Sequence, residues 1–279
     1  MQIERRRRAT NWVMMGLCAL AALMGGGVLL VLLFYVLVNG LSYVNWEFLT
    51  TLPRPLGEPG GGMVNAFVGS LIMVGMASAW GVLLGIGAGI FLAEYAGPRL
   101  GAIVRFTADV LSGVPSIVIG IFGYTLIVTR MGSFSALAGA FALGVITLPI
   151  VARTTEESLR MVPNELREGA LALGIPQWRT VTSVVAPTAM AGLVTGVLLA
   201  IARIAGETAP LIFTALGNRF WHEDLTSPIA AVTLNIFYYA ISPYEQWHQQ
   251  AWAASFFLLM IVLIISLVSR LLAARAVRR

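Results

Sequence analysis

The chain has 279 residues, of which 58% are hydrophobic and 11% charged, against about 25% charged in soluble domains, so it belongs in lipid and divides best into spans of about 20 apolar residues. Its net charge of +5 rests on 18 basic residues that are all arginine, and without lysine it can build neither a Walker A loop nor a Schiff base. The single cysteine, Cys18, lies in an apolar run, which excludes an internal disulfide and a cysteine-based metal site.

The run Arg5 to Arg8 precedes an uncharged stretch from Val13 to Val38. That stretch exceeds the h-region of about 7–15 residues found in signal peptides, and no clear cleavage site follows it, so it reads as a retained first helix. Further spans are predicted at Val64 to Ala93, Ile103 to Val128, Ser135 to Val151, Ala189 to Leu216 and Ala251 to Leu272. The expected fold is all-α, a polytopic bundle of about six membrane-spanning helices. Its parts are a basic segment 1–12, a first helix 13–38, an outside loop 39–63, a five-helix core 64–274 containing a long inside connection 153–187, and a basic tail 275–279.

Arginine placement orients the bundle. With the N-terminus in the cytoplasm, fourteen arginines fall inside (Arg5 to Arg8, Arg99, Arg105, Arg153, Arg160, Arg167, Arg179, Arg270, Arg275, Arg278 and Arg279) and three outside (Arg54, Arg130 and Arg219). This follows the positive-inside rule and puts both termini in the cytoplasm. The basic residues therefore read as topology anchors beside lipid, with no nucleic-acid partner. Within the spans, Gly81, Gly85 and Gly89 repeat every four residues, as do Gly192 and Gly196; such spacing lets backbones approach closely, within the bundle or at a subunit contact.

Three connections carry information. Asn39 to Met63 contains Pro53, Pro55, Pro59 and three successive glycines, and reads as an irregular loop. Gly217 to Gln250 holds an apolar stretch, Pro228 to Ile241, too short to span; it lies along the interface or re-enters. The inside segment Arg153 to Pro187 predicts a short helix, with Asn164 as cap, Glu165 and Glu168 near its positive end, Gly174 as stop and Pro176 beyond. Leu166, Ala170 and Leu173 form one stripe. A helix this short is marginal in water and needs a partner surface, either its own bundle or another protein.

The sequence Glu168-Gly169-Ala170, Gly174 four residues after Ala170, and Val184-Val185-Ala186-Pro187 resemble the EAA loop of bacterial ABC import permeases, which reads Glu-Ala-Ala, three residues, Gly, nine residues, Ile-x-Leu-Pro. Gly169, Val184 and Ala186 depart from that pattern toward small or similar side chains. The resemblance implies a coupling helix that inserts into a cleft of a separate ATPase subunit, with Glu168, Gly169, Ala170, Gly174 and Pro187 as the ATPase-coupling residues.

Arg203 and Glu207 lie within the fifth predicted span, four apart and on one helix face. An arginine at the bilayer centre costs about 2.5–3.5 kcal/mol on insertion scales, which makes it a functional candidate; the alternative is a mutually neutralising structural pair. Pro210 removes the hydrogen bond to the Gly206 carbonyl and predicts a distortion beside the pair. A similar break falls at Ser112-Gly113-Val114-Pro115-Ser116, after Asp109. A helix beginning near Pro115 would aim its positive end inward and suit an anion; a kink used for packing is the alternative. An arginine fork suits a tetrahedral oxyanion. Glu207 could accept a hydrogen bond from a protonated oxyanion such as phosphate, whereas sulfate has no such proton to offer. Arg203 and Glu207 are thus substrate-path candidates, with Asp109, Ser112 and Ser116 as possible members; no catalytic or metal-binding residue is assigned.

Most of the chain is similar to the phosphate-specific (Pst) transporter permeases of the PstA type. The matching segments are Thr50 to Pro55, Gly57 to Gly62, Leu92-Ala93-Glu94-Tyr95, Asp109 to Val118 and, most specifically, Arg203-Ile204-Ala205-Gly206-Glu207-Thr208-Ala209-Pro210. The resemblance implies the type I ABC importer permease fold in a bacterial inner membrane, with Arg203 on the phosphate path and Glu207 beside it. It further implies a PstC-type partner permease, a PstB-type ATPase dimer that binds the ATP and magnesium, and an external PstS-type binding protein; this chain itself would need no cofactor. The nearest rival is a permease for another oxyanion, sulfate or molybdate. An intramembrane enzyme is disfavoured, because His222 and His248 both lie in the outside loop and His222-Glu223-Asp224 lacks a zinc-helix spacing. A receptor reporting phosphate to a signalling partner stays open as a second role.

Overall fold

The computed structural model describes residues 2–55, 58 and 60–277. Gly57 and Pro59 of the first loop, and Arg278 and Arg279 of the tail, lie outside the described residues. Among the described residues, five helices are long and apolar enough to cross a membrane, and a sixth span arises if one sharply bent helix pair is counted as one.

Helix α1 (Gln2–Leu41) and the short α2 (Trp46–Thr50) come first. Asn45 caps α2, its Oδ1 accepting from the Phe48 amide at 2.7 Å. The loop expected to be irregular thus contains one helical turn, whose Glu47 pairs with Arg54 at 2.8 Å. Helix α3 (Val64–Ile90) continues through a π-helical turn, Phe91–Tyr95. Pro98 opens α4 (Pro98–Gly113), and α5 (Ser116–Gly123) follows at a 98° bend. A π-helical turn, Tyr124–Val128, leads into α6 (Thr129–Met131), which Gly132 ends at φ +70°. Ser135 caps α7 (Ala136–Arg160), accepting from the Ala138 amide at 3.1 Å.

The inside connection forms α8 (Asn164–Ala172) and α9 (Gln177–Thr180). A π-helical turn, Val181–Val185, joins α9 to α10 (Ala186–Ala205), so that 177–205 is one continuous apolar helix. The expected fifth span, Ala189 to Leu216, is therefore displaced: it starts earlier and breaks at Gly206. Beyond the break lie α11 (Ala209–Thr214), α12 (Val232–Ala240) and α13 (Glu245–Val277).

Helix α7 is the hub. Of its most apolar window 67% is buried, against 28% or less for the other spans. Its residues are small (Ala138, Gly139, Ala140, Ala142, Gly144), and two glycine-bearing helices press on it. Gly69, Met73, Ala77, Gly81, Gly85 and Gly89 form one buried face of α3 at a strict spacing of four. A Cβ on Gly81 would come within 3.0 Å of the Gly144 carbonyl oxygen, and one on Gly85 within 2.7 Å of Val151 Cβ. Gly196 of α10 meets Thr154 in the same way, at 2.7 Å. Without a hydrophobic driving force between helices in lipid, such close approach is what holds a bundle together. Both glycine repeats thus pack inside the chain, the first of the two readings open from sequence.

The apolar stretch after α11 enters the bundle. Ile229, Ala230, Ala231 and Leu234 are buried, the Val232 amide donates to Ser70 Oγ at 2.9 Å, and Gly69 seats against the Ala230 carbonyl. Of the two placements open from sequence, this packing fits re-entry. Helix α1, by contrast, stands apart except near one end. There Gly40 touches Trp252 and Phe256 of α13, and Tyr35 meets Trp252 edge to face at 5.3 Å.

Candidate functional site: a cavity between two helix breaks

Two interruptions of helical backbone face each other. In the first, Val114 and Pro115 take extended conformations between α4 and α5 (ψ 129° and 135°). Proline fixes its own φ and disfavours helical geometry in the residue before it, which explains why the break falls there. In the second, α10 ends at Gly206, and Pro210 sits in the first turn of α11, where its missing N–H costs nothing. Gly120 lets the two short helices touch: a Cβ there would lie 2.6 Å from Pro210 Cα.

Between the breaks lies a cavity of about 170 Å³. Its polar lining comes from Ser112 and Ser116 beside the first break and from Arg203 and Glu207 beside the second; Ile119, Ile146 and Ile150 supply apolar walls. Arg203 Nε stands 4.0 Å from Glu207 Oε1, an ion-pair distance too long for a hydrogen bond. The Arg203 side chain is 60% exposed and that of Glu207 17%, so the guanidinium keeps donors free to meet a ligand while the carboxylate is largely enclosed. The Glu207 backbone is fixed separately, its carbonyl accepting from Thr233 Oγ1 of α12 at 2.9 Å.

Four of the five path candidates thus meet in one cavity. Asp109 does not line it. One turn along α4 from Ser112, its carboxylate is held by Arg153 of α7 at 2.8 Å. Arg153 also reaches Glu156, which is 2% exposed and is gripped by Arg105 at 2.6 Å and Arg160 at 2.9 Å. Sequence alone does not reveal this cluster, because Arg105 and Glu156 are 51 positions apart and each of these arginines reads locally as a topology marker. Asp224, in the segment between α11 and α12, lies away from the cavity; hydrogen bonds from the Thr226 hydroxyl and amide hold its carboxyl below the usual carboxylate range.

The predicted coupling segment is a compact hook. Helix α8 ends where expected: Gly174 is left-handed at φ +78°, and the Ile175 amide closes on the Ala170 carbonyl at 3.2 Å. The cap differs from expectation. Pro163, in extended geometry, precedes the helix, and Asn164 is its first residue, with Oδ1 accepting from Arg167 Nη1 at 3.2 Å rather than from a backbone amide. Ala170 is buried, whereas Leu166 and Leu173 are 43% and 82% exposed, so the bundle covers only the middle of the stripe. Glu168 and Gly169 are exposed, and Pro187 is exposed in the first turn of α10.

Comparison with known proteins fits this architecture. Residues 85–279 match the family described as binding-protein-dependent transport system inner membrane component. The chain is 46% identical over 276 residues to the phosphate transport system permease protein PstA of Xylella fastidiosa, covering 98% of this chain and 96% of the relative. With the PstA protein of Yersinia pestis it shares 42% over 270 residues, covering 96% and 92%. The chain belongs to the PstA family of binding-protein-dependent transport permeases. Among solved structures, the PstA-family chain resembles the inward-facing MetNI methionine ABC transporter at a TM-score of 0.65 and 19% identity, covering 76% of this chain and 95% of that one. At that identity the likeness speaks for the type I importer permease fold alone.

Proposed function

We infer that this PstA-family chain is a transmembrane permease subunit of an ATP-driven phosphate importer. The observation that carries the reading is the convergence of Arg203, Glu207, Ser112 and Ser116 on one small cavity at two helix breaks. A volume of about 170 Å³ falls below the roughly 300 Å³ at which pockets for drug-sized ligands begin, which suits a small anion. Arg203 supplies the positive charge and the hydroxyls of Ser112 and Ser116 supply donors. Glu207 accepts a hydrogen bond from the remaining P–OH of phosphate and repels an oxyanion without such a proton. Half of the translocation path is built here; the other half comes from a PstC-type permease.

Composition supports a division of labour. Lacking lysine, the chain delegates ATP and magnesium to a PstB-type ATPase dimer, and α8 with its C-cap residue presents the exposed Leu166, Leu171 and Leu173 to it. A PstS-type protein delivers phosphate from outside. The arginine distribution sets the orientation, with both termini and α8 in the cytoplasm.

The selectivity argument has a direct test. Reconstituted phosphate uptake should persist under a large excess of sulfate; strong competition by sulfate would favour the permease for another oxyanion. Two glycines test the docking helix. A Cβ on Gly169 meets nothing within 4 Å, so Gly169→Ala should be tolerated and should firm the helix by about 0.5–1 kcal/mol. Gly174→Val forces a β-branched residue into left-handed backbone, and should weaken ATPase co-purification and phosphate uptake while the spans still insert. Unchanged ATPase co-purification and unchanged phosphate uptake in Gly174→Val would remove α8 from the interface.

A further inference from the structure

Among the described residues, a buried ion pair, Glu94–Arg167, ties α8 to the bundle beside the buried Ala170, and no part of the phosphate path uses it. Glu94 sits in the π-helical turn that ends α3, with a side chain only 7% exposed; Arg167 is in the middle of α8 and 17% exposed. The guanidinium grips the carboxylate through Nη2 at 2.9 Å and Nε at 3.2 Å. Its other N–H groups donate to the Leu159 carbonyl at 2.7 Å and to the Val162 carbonyl at 2.6 Å, at the end of α7. On the far side, Gln177 Nε2 of α9 donates to the Glu94 carbonyl at 2.7 Å.

Four elements therefore meet at one point: the end of α3, the end of α7, the coupling helix, and the start of the helix that carries Arg203. A planar arginine fork spends its donors in fixed directions, so little rotation is left at the contact. Two of the joined elements reach the cavity: α7 carries Ile146 and Ile150, and the helix from 177 to 205 carries Arg203. The π-helical turn at Glu94 is itself a local departure from α-helix that places the carboxylate under α8.

We propose that Glu94 and Arg167 are positioning residues that lock the coupling helix to α3 and α7, so that displacement of α8 by the ATPase moves the cavity walls as one body. This rests on the phosphate-importer reading. Breaking the pair leaves α8 able to dock but free to swivel, so hydrolysis proceeds while the cavity no longer follows.

The test uses the complete importer in proteoliposomes, with uptake and hydrolysis measured on the same vesicles. Glu94→Gln keeps size and removes charge. It should assemble normally, yet raise the ATP consumed per phosphate imported by about tenfold or more, the scale of losing a charge-assisted hydrogen bond. In a Cys18→Ser background, the double variant Glu94→Cys with Arg167→Cys should be equally uncoupled when reduced and should recover coupling once a short bifunctional thiol reagent bridges the two positions. A purely structural role would predict loss of assembly in both states and no recovery. Hydrogen exchange of residues 164–172 in the purified complex gives a readout independent of the anion carried, and Glu94→Gln should speed it. Unchanged exchange and an unchanged ratio would overturn the joint, as would a bridged double variant that stays uncoupled. Failure of the unmodified importer to take up phosphate would instead count against the phosphate reading, leaving the exchange result to decide the joint.

Discussion

Replacing Arg203 by alanine should reduce phosphate uptake by roughly 100-fold or more, the scale seen when one preorganised donor to a charged ligand is removed, while the complex still assembles. Arg203 is the cationic residue lining the cavity, so its removal takes away the positive charge that an anion meets there. The single change also leaves Glu207 without its counter-charge, which both repels phosphate and risks misfolding. The double variant Arg203→Ala with Glu207→Ala separates these effects. If the pair serves only to neutralise itself, the double variant should regain transport together with folding. If Arg203 is a ligand, the double variant assembles and stays inactive. Uptake near the unmodified level in a well-assembled double variant would remove Arg203 from the phosphate path.

A comparably large effect, on stability rather than transport, is expected from one methyl group on α3. Gly85→Ala places a Cβ 2.7 Å from Val151 Cβ and 3.0 Å from the Leu148 carbonyl oxygen. Neither neighbour is the free end of a flexible chain, so α3 and α7 must separate, at a cost of about 1–3 kcal/mol. Two residues along the same helix, Gly87 meets nothing within 4 Å, and Gly87→Ala should match or slightly exceed the unmodified stability. The melting midpoint in detergent should fall clearly for the first and not for the second. Equal midpoints for the two variants would mean that α3 does not sit on α7 as described.

These residues also show where sequence was sufficient. The strict four-residue repeat of Gly81, Gly85 and Gly89 fixes a contact face whatever its partner, and Pro115 and Pro210 fix where helices restart, because each acts through its own backbone. Gly174 was legible for the same reason. What sequence could not supply was direction and pairing at a distance. Nothing local to Val114-Pro115 dictates a 98° bend, which follows from how α5 packs on α11 through Gly120. Hydropathy ran the fifth span across Gly206 because Leu211 to Phe213 are as apolar as what precedes them. Asp109 looked like a path residue because it precedes a break, yet Arg153, 44 positions later, holds it. Arg167, an inside arginine that marks topology, and Glu94, in the Leu92-Ala93-Glu94-Tyr95 segment, are 73 positions apart, and nothing local links them.

The most direct test of the central claim is ATP hydrolysis and phosphate uptake measured in vesicles holding this chain alone, and then together with a second permease, the ATPase and the binding protein. The account predicts that the chain alone neither hydrolyses ATP nor moves phosphate, and that the full assembly hydrolyses ATP faster when phosphate-loaded binding protein is present and accumulates phosphate in step. Hydrolysis or uptake by the pure chain, or a full assembly whose hydrolysis ignores phosphate and drives no uptake, would contradict it.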